Sequence, residues 1–456
     1  MVALAIAIIK WFSLGVLFVV VVFLLGLYAR GAFRWRPLFH IENMIAPCEP
    51  RFLSTIGRLT EALEATGQIV DVWQTVEQIQ KARLEAVNSA QYSIQFETFM
   101  MTPGRRAEAF ADAIAKRALE GVTIQLLVDN YGARALGERY WHRLGSVGVQ
   151  VVFFNPFDWR APANYAGRTH RKLLIIDGRR ALIGGAGISD LWDGTEKPDD
   201  TKAWFDIEVA ITGEVVTVLS TIFQKHWQGY RKQYSPKGDK IAAINMDVIY
   251  PSKGEKTDLK QAESYQPASR ENSPFMVIPG TKPSYRNSPI EILKQSLISS
   301  ARQSIWLCSP YFLPNESTRN LLIEAQKAGI QVRILTTSDR SDKKPVYYAS
   351  YEVYGSLLSA GISIFEYQPS MLHAKMLMID HTWVNTGSAN LDYRSYLHND
   401  ELDILTNSPK LVSAMKKQFE RGFSNSQQID LAQWQQRSVI KHRLIGNAVR
   451  LVQWQL

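Results

Sequence analysis

The sequence predicts an α/β protein built from two similar lobes. Each is a mixed β-sheet flanked by helices, the pair is related by a pseudo-two-fold axis, and one N-terminal transmembrane helix precedes them. Three observations carry this expectation. An uncharged apolar stretch opens the chain, a strand–helix pattern occurs twice at an offset near 200–210 residues, and the composition suits large cores. Of 456 residues, 46% are hydrophobic and 21% charged, which excludes a disordered, collagen-like or low-complexity chain and leaves room for two or three structural units.

The membrane anchor is expected over residues 1–36. Phe12 to Tyr28 is a run of 17 residues without a charge, near the minimum for a membrane-spanning helix. Val2–Ile9 can lengthen it if Lys10 snorkels to the interface. The apolar stretch is long and no convincing small-x-small cleavage site follows it, so the segment reads as an uncleaved anchor. Arg30, Arg34 and Arg36 outweigh Lys10 across the span, which predicts a cytoplasmic body by the positive-inside rule.

The first lobe is expected over 37–231 and the second over 276–425. Asn88–Ile94 echoes Ser299–Ile305, and each leads into an apolar run, Gln95–Phe99 and Trp306–Phe312. Helical patterns follow at Arg106–Leu119 and Glu316–Ala328, then strands opened by Gly121 and Gly329. Gly148–Phe154 matches Gly361–Phe365, and His170–Asp177 matches His373–Asp380. A period this long indicates a duplicated domain, not a solenoid. Residues 232–275 are polar, rich in Lys, Ser and Pro, and read as a surface linker. For 426–456 the expectation is an amphipathic helix. Ile440, Leu444, Ala448 and Leu451 share one face beside Val452, to pack on the second lobe or lie on a membrane surface.

The net charge of +9 favours an acidic partner, nucleic acid or anionic lipid. Two distant cysteines, Cys48 and Cys308, cannot form a disulfide framework or a Cys-rich zinc site.

Chemistry points to the duplicated His-x-Lys-x4-Asp. If the motif lies on a strand, His170 and Lys172 project from one face, as do His373 and Lys375, with Asp177 and Asp380 at the strand ends. One such match is weak evidence, whereas two at equivalent points of a duplication are strong. Two ammonium groups can clamp a phosphoryl group, one imidazole can attack phosphorus, and the other can protonate the leaving oxygen. Such a site needs no metal or other cofactor, and the remaining acidic and His residues show no ligand spacing. Downstream, Ser388, Asn390 and Arg394 are candidate phosphate donors, Asn399 lies beyond them, and Glu401 is a candidate orienter of an imidazole.

With these residues the chain resembles the phospholipase D superfamily and its paired HKD motifs, and within it bacterial cardiolipin synthases. The similar part runs from about Ile69 to Phe423 and includes Ser309-Pro-Tyr-Phe-Leu-Pro314, Met371-Leu-His-Ala-Lys375, Gly387–Asp392 and Arg394-Ser395. In the first lobe Gly184-Gly185, Trp204 and Asp206 sit where that family carries comparable residues. Two departures stand out: one apparent span where such synthases often have two, and Gly187 where Asn390 has its counterpart.

The resemblance implies a transphosphatidylation at a bacterial inner membrane. A phosphatidyl-histidine forms on His170, His373 serves as acid and then base, and the phosphatidyl group passes to phosphatidylglycerol to give cardiolipin. It implies phosphatidylglycerol or phosphatidylethanolamine as donor, membrane as partner, and no nucleic acid. A hydrolytic phospholipase D would use the same residues. A nuclease would need a basic groove interleaved with stacking aromatics, and the aromatics here are dispersed.

Overall fold

The computed structural model describes residues 2–32, 41, 44–159, 165–194, 202–234, 272–280 and 288–453. Eight strands come from the first repeat: β1 (Leu63–Trp73), β2 (Ser93–Thr98), β3 (Thr123–Asp129), β4 (Gln150–Phe154), β5 (Arg168–Thr169), β6 (Leu173–Ile176), β7 (Arg180–Gly184) and β8 (Glu208–Thr212). Eight more come from the second: β9 (Ser273–Gly280), β10 (Ser304–Ser309), β11 (Gln331–Thr337), β12 (Ser363–Tyr367), β13 (Met376–Ile379), β14 (Trp383–Gly387), β15 (Asn399–Thr406) and β16 (Ser426–Ile429).

The two lobes share one continuous sheet, ordered β16-β12-β11-β10-β13-β14-β15-β9-β1-β8-β7-β6-β2-β3-β4, with β5 pairing β15. The halves meet where β1 and β9 run antiparallel, Leu63 opposite Val277 and Gly67 opposite Ser273. On either side the order repeats, with parallel β2-β3-β4 matched by β10-β11-β12. Short apolar strands such as Leu173–Ile176 and Met376–Ile379 are buried at every position, as strands covered on both faces require.

One face of the sheet is common to both lobes. There Leu173, Val209, Phe275, Met376 and Leu402 pack in a single core with side chains of the helices Glu214–Tyr234 and Pro409–Ser424. On the other face each lobe has its own core. Phe52 and Ile56, expected in the first lobe, pack into the second lobe's core beside Met276 and Leu293. Trp383 fastens this crossing by donating its Nε1–H to the Pro47 carbonyl at 3.1 Å.

Three expectations about elements are corrected. The polar linker is shorter at both ends, because 232–234 finish the helix Glu214–Tyr234 and 273–275 open β9; residues 235–271 lie outside the described residues. Residues 426–456 do not form one helix. Ser426–Ile429 pairs with β12 as an edge strand, then come Leu431–Gln435, a π-helical Val439–Gly446 and Asn447–Leu451. The His-x-Lys triplets lie just ahead of β6 and β13 rather than within them. At the N-terminus a helix spans Val2–Ala32, and its stretch Ile6–Gly26 is long and apolar enough to cross a membrane by length and composition. Arg34 and Arg36 of the expected flank lie outside the described residues.

Candidate active site

Each His-bearing triplet is held by the other lobe. The His170 N–H donates to the Asp400 carbonyl at 2.8 Å, continuing the β5–β15 ladder, while the His373 N–H donates to the Phe205 carbonyl at 2.7 Å. The side chains follow the same crossing. His170 Nδ1 lies 3.0 Å from Glu401 Oε2, and His373 Nδ1 lies 2.9 Å from Asp206 Oδ2. Asp206 and Glu401 occupy equivalent positions just before and within β8 and β15, since Gly184 pairs with Glu208 and Gly387 with Asp403. A carboxylate at Nδ1 fixes the tautomer that leaves Nε2 free to react.

The lysines complete each half. Lys172 Nζ donates to the His170 carbonyl at 2.6 Å, and Lys375 Nζ lies 3.1 Å from His373 Nε2. All four side chains lie deep in the fold. Burial, followed by Lys375, brings the His373 imidazole down to about 4, and burial brings the Lys375 ammonium down to about 8. The His170 imidazole and the Lys172 ammonium are likewise depressed by burial and by nearby cations. Burial raises the Asp206 carboxyl, but His373 and Lys375 outweigh it and hold it at about 2. Both imidazoles are therefore neutral at neutral pH, the form a nucleophile or general base requires.

Behind the carboxylates stands a second tier that the sequence reading missed. Arg83 forks onto Glu208 in the first lobe, and Lys294 bridges Asp403 and Asn385, each at 2.9 Å, in the second. Lys294 sits beside the repeated Ser299–Ile305 segment, yet a lone cation on a helix carries no signal by itself. A further buried network supports the first half. His226 Nδ1 lies 2.7 Å from Glu97 Oε1, and its Nε2 lies 3.0 Å from Asp400 Oδ2, beside Arg171. Burial lowers the His226 imidazole, but Glu97 outweighs it and the net effect is upward.

The two aspartates of the repeat do not reach the site. Asp177 and Asp380 sit at the far ends of β6 and β13, five residues along the chain and roughly 16 Å beyond the lysines. Both adopt positive φ in tight turns, at 52° and 50°. Asp177 accepts the N–H groups of Gln91, Tyr92 and Ser93, and Asp380 those of Arg302, Gln303 and Ser304. Their work is to fasten the turns to the starts of β2 and β10, which corrects the catalytic assignment.

Other expected donors are sorted by their contacts. Ser388 Oγ donates to Glu401 Oε2 at 2.5 Å, and Asn399 Nδ2 donates to Glu401 Oε1 at 3.2 Å, so both position the carboxylate instead of reaching a phosphate. Gly185 leaves the room its serine counterpart would fill, since a Cβ there would meet Asp206 Oδ1 at 2.3 Å. Gly187 is explained similarly: a Cβ would lie 2.7 Å from the Met100 carbonyl and 3.1 Å from Trp192, whose Nε1–H donates to Asp206. Asn390 and Arg394 do line a cavity of about 450 Å³ that reaches His170. Asn390 Oδ1 is buried without a partner among the described residues, and Arg394 donates to the Ala166 carbonyl at 3.0 Å.

Phe99, Tyr131, Tyr165, Arg168, Tyr311 and Lys343 share that wall, mixing apolar surface with cations. Among the described residues no three His, Cys, Asp or Glu side chains converge as metal ligands.

Residues 84–227 and 295–422 match the family model described as cardiolipin synthase, PLD-like domain. A cardiolipin synthase of Geobacillus thermodenitrificans is 28% identical over 418 residues, covering 91% of this chain and 75% of that protein. Cardiolipin synthase 1 of Bacillus cereus is 30% identical over 385 residues, covering 81% of this chain and 69% of its own length. In fold, the crystal structure of phosphatidylserine synthase from Haemophilus influenzae aligns with a TM-score of 0.65 at 14% identity, covering 88% of this chain and 99% of that one.

Proposed function

Since the chain belongs to the cardiolipin synthase, PLD-like domain family, and is a phosphatidyltransferase of the phospholipase D superfamily serving phospholipid biosynthesis, we propose that it makes cardiolipin by transphosphatidylation. The observation that carries this reading is the crosswise pairing of two neutral imidazoles with Asp206 and Glu401 beside two buried lysines.

A phosphodiester seated between Lys172 and Lys375 places one negative charge against both imidazoles, which favours protonation of one of them. His170 Nε2 attacks phosphorus, because the cavity opens on that ring. The bond to the head-group oxygen breaks, and His373 Nε2–H gives that oxygen its proton. A phosphatidyl-histidine remains. The hydroxyl of phosphatidylglycerol then loses its proton to His373 Nε2 and attacks phosphorus, the N–P bond breaks, and cardiolipin leaves. Lys172 and Lys375 hold the phosphoryl oxygens through both steps, with Asn390 and Arg394 as neighbouring donors in the cavity. Asp206 stabilises the imidazolium that His373 becomes. Phosphatidylglycerol or phosphatidylethanolamine serves as donor. The apolar helix Val2–Ala32 anchors the enzyme in a bacterial inner membrane with its body in the cytoplasm.

Expression in a membrane lacking cardiolipin, followed by mass spectrometry of the lipids, tests this. Cardiolipin that appears with the wild type and not with His373→Ala is the expected result. Phosphatidic acid without cardiolipin would make the enzyme a hydrolase and overturn the proposal.

A further inference from the structure

Beyond the N-terminal helix, fourteen large apolar side chains are exposed among the described residues; six lie between Val439 and Val452, Tyr131 lines the His170 cavity, and Phe157 and Trp159 lie close in sequence to its wall residue Tyr165. On the second-lobe side, residues 439–452 lie against the helix Lys344–Ser359. His442 stacks on Tyr351 at 4.5 Å and meets Tyr348 edge-on at 5.4 Å. Gly446 sits so close to that helix that a Cβ would meet the Tyr348 carbonyl at 2.6 Å. The first turn of the helix supplies Val346 to the cavity wall. With its inner side fastened, the segment turns Val439, Ile440, Leu444, Ile445, Leu451 and Val452 to solvent.

On the first-lobe side, Phe157 meets Tyr165 edge-on at 5.4 Å, and Tyr165 lies in the cavity wall. Phe157 is 61% exposed and Trp159 76%. Charge follows the same distribution. Between Val439 and Gln453 there are Lys441, Arg443 and Arg450 and no acidic residue, and Asp158 is the one acid in either segment. Interleaved cations and large apolar groups are the surface chemistry of helices that settle into anionic lipid interfaces, and tryptophan favours the same depth.

We propose that these two rims seat the cavity mouth on an anionic phospholipid bilayer, so that a lipid head group enters from the membrane plane without leaving it. The proposal rests on the reading of a phospholipid as substrate. It is compatible with the N-terminal anchor. Met44 lies at the start of β10, about 20 Å along the strand from the cavity end. The eleven residues between Ala32 and Met44 can bridge roughly 36–40 Å.

The test uses the full chain carrying Cys48→Ser, because Cys48 is exposed and Cys308 buried. Leu444→Cys, Trp159→Cys and Leu119→Cys are each labelled with an environment-sensitive dye and reconstituted into phosphatidylglycerol nanodiscs containing nitroxide lipids. Leu119 is 73% exposed near the start of β3, the end away from Asp129 and its cavity partner Arg168, and serves as reference. Labels at 444 and 159 should be quenched several-fold more than the label at 119. Equal quenching at all three overturns the proposal. So does a label at 444 that is shielded without lipid quenching and released on dilution, which would assign the face to a second copy of the chain.

The double variant Leu444→Asp/Leu451→Asp should lose tenfold or more of its turnover on nanodisc lipid and keep its turnover of a water-soluble short-chain phosphatidylglycerol. An equal loss on both substrates counts against docking. Quenching as expected with no phosphatidyl transfer on any lipid would uphold the docking surface and sink the cardiolipin reading instead.

Discussion

Replacing Asp206 by Asn removes one negative charge beside His373 while keeping the shape of the side chain. The Nδ1–Oδ2 separation is 2.9 Å, and the carboxylate also receives the Trp192 Nε1–H at 3.0 Å. Once His373 takes up a proton, the imidazolium and carboxylate charges lie about 4 Å apart, which at an effective dielectric near 20 is worth about 4 kcal/mol. That stabilisation belongs to the step in which His373 becomes charged, so its loss appears in kcat as about 10³-fold. Trp192 and His373 both meet Oδ2 while Oδ1 accepts the Ile207 N–H at 2.9 Å, so an amide that keeps its oxygen on the first two turns its NH2 toward the Ile207 N–H, a donor facing a donor. The assay is phosphatidyl transfer by reconstituted full-length enzyme, with kcat and KM separated and folding checked by thermal melting. Glu401→Gln, the equivalent change facing His170 from the other lobe, should fall into the same class. Activity within tenfold of wild type in a folded Asp206→Asn protein would refute the assignment of the carboxylate as orienter and charge partner.

Asp177→Ala and Asp380→Ala should lower stability by about 2–4 kcal/mol each, because three backbone donors lose a charged acceptor. Their kcat should stay near wild type, and chemical denaturation beside single-turnover kinetics separates the two effects. Gly185→Ala should act through Asp206, since the new methyl would displace a carboxylate 2.3 Å away. A loss of 10²-fold or more in kcat with KM little changed is expected. Acidification should destabilise the fold between pH 6.5 and 4. His373 titrates at about 4 in the folded state against an ordinary 6.5, so its contribution is complete above 6.5 and is lost as pH falls through 4. The gap is worth roughly 3 kcal/mol, and His373→Gln should flatten that part of the stability profile.

Repetition made the candidate catalytic residues readable in one dimension. His170, Lys172, His373 and Lys375 recur in a shared local pattern, and the apolar strand after each motif, Leu173–Ile176 and Met376–Ile379, carries its own burial signature. The α/β class and the apolar N-terminal helix were legible for the same reason, being local in sequence. Asp177 and Asp380 show the limit of that reasoning. Adjacency in the motif suggested shared chemistry, whereas a four-residue strand carries each aspartate to the opposite end of the sheet.

What only the tertiary structure decided is the exchange between lobes. Glu401 follows His373 in the chain by 28 positions, yet it serves His170, 231 residues away. The joining of β1 to β9 brings β15 alongside β5, so that each lobe's carboxylate faces the other lobe's imidazole. Local sequence encodes which residues a strand can bury and which can react. The antiparallel joining of two half-sheets, set by backbone hydrogen bonds and a core common to both lobes, decides which reactive groups meet.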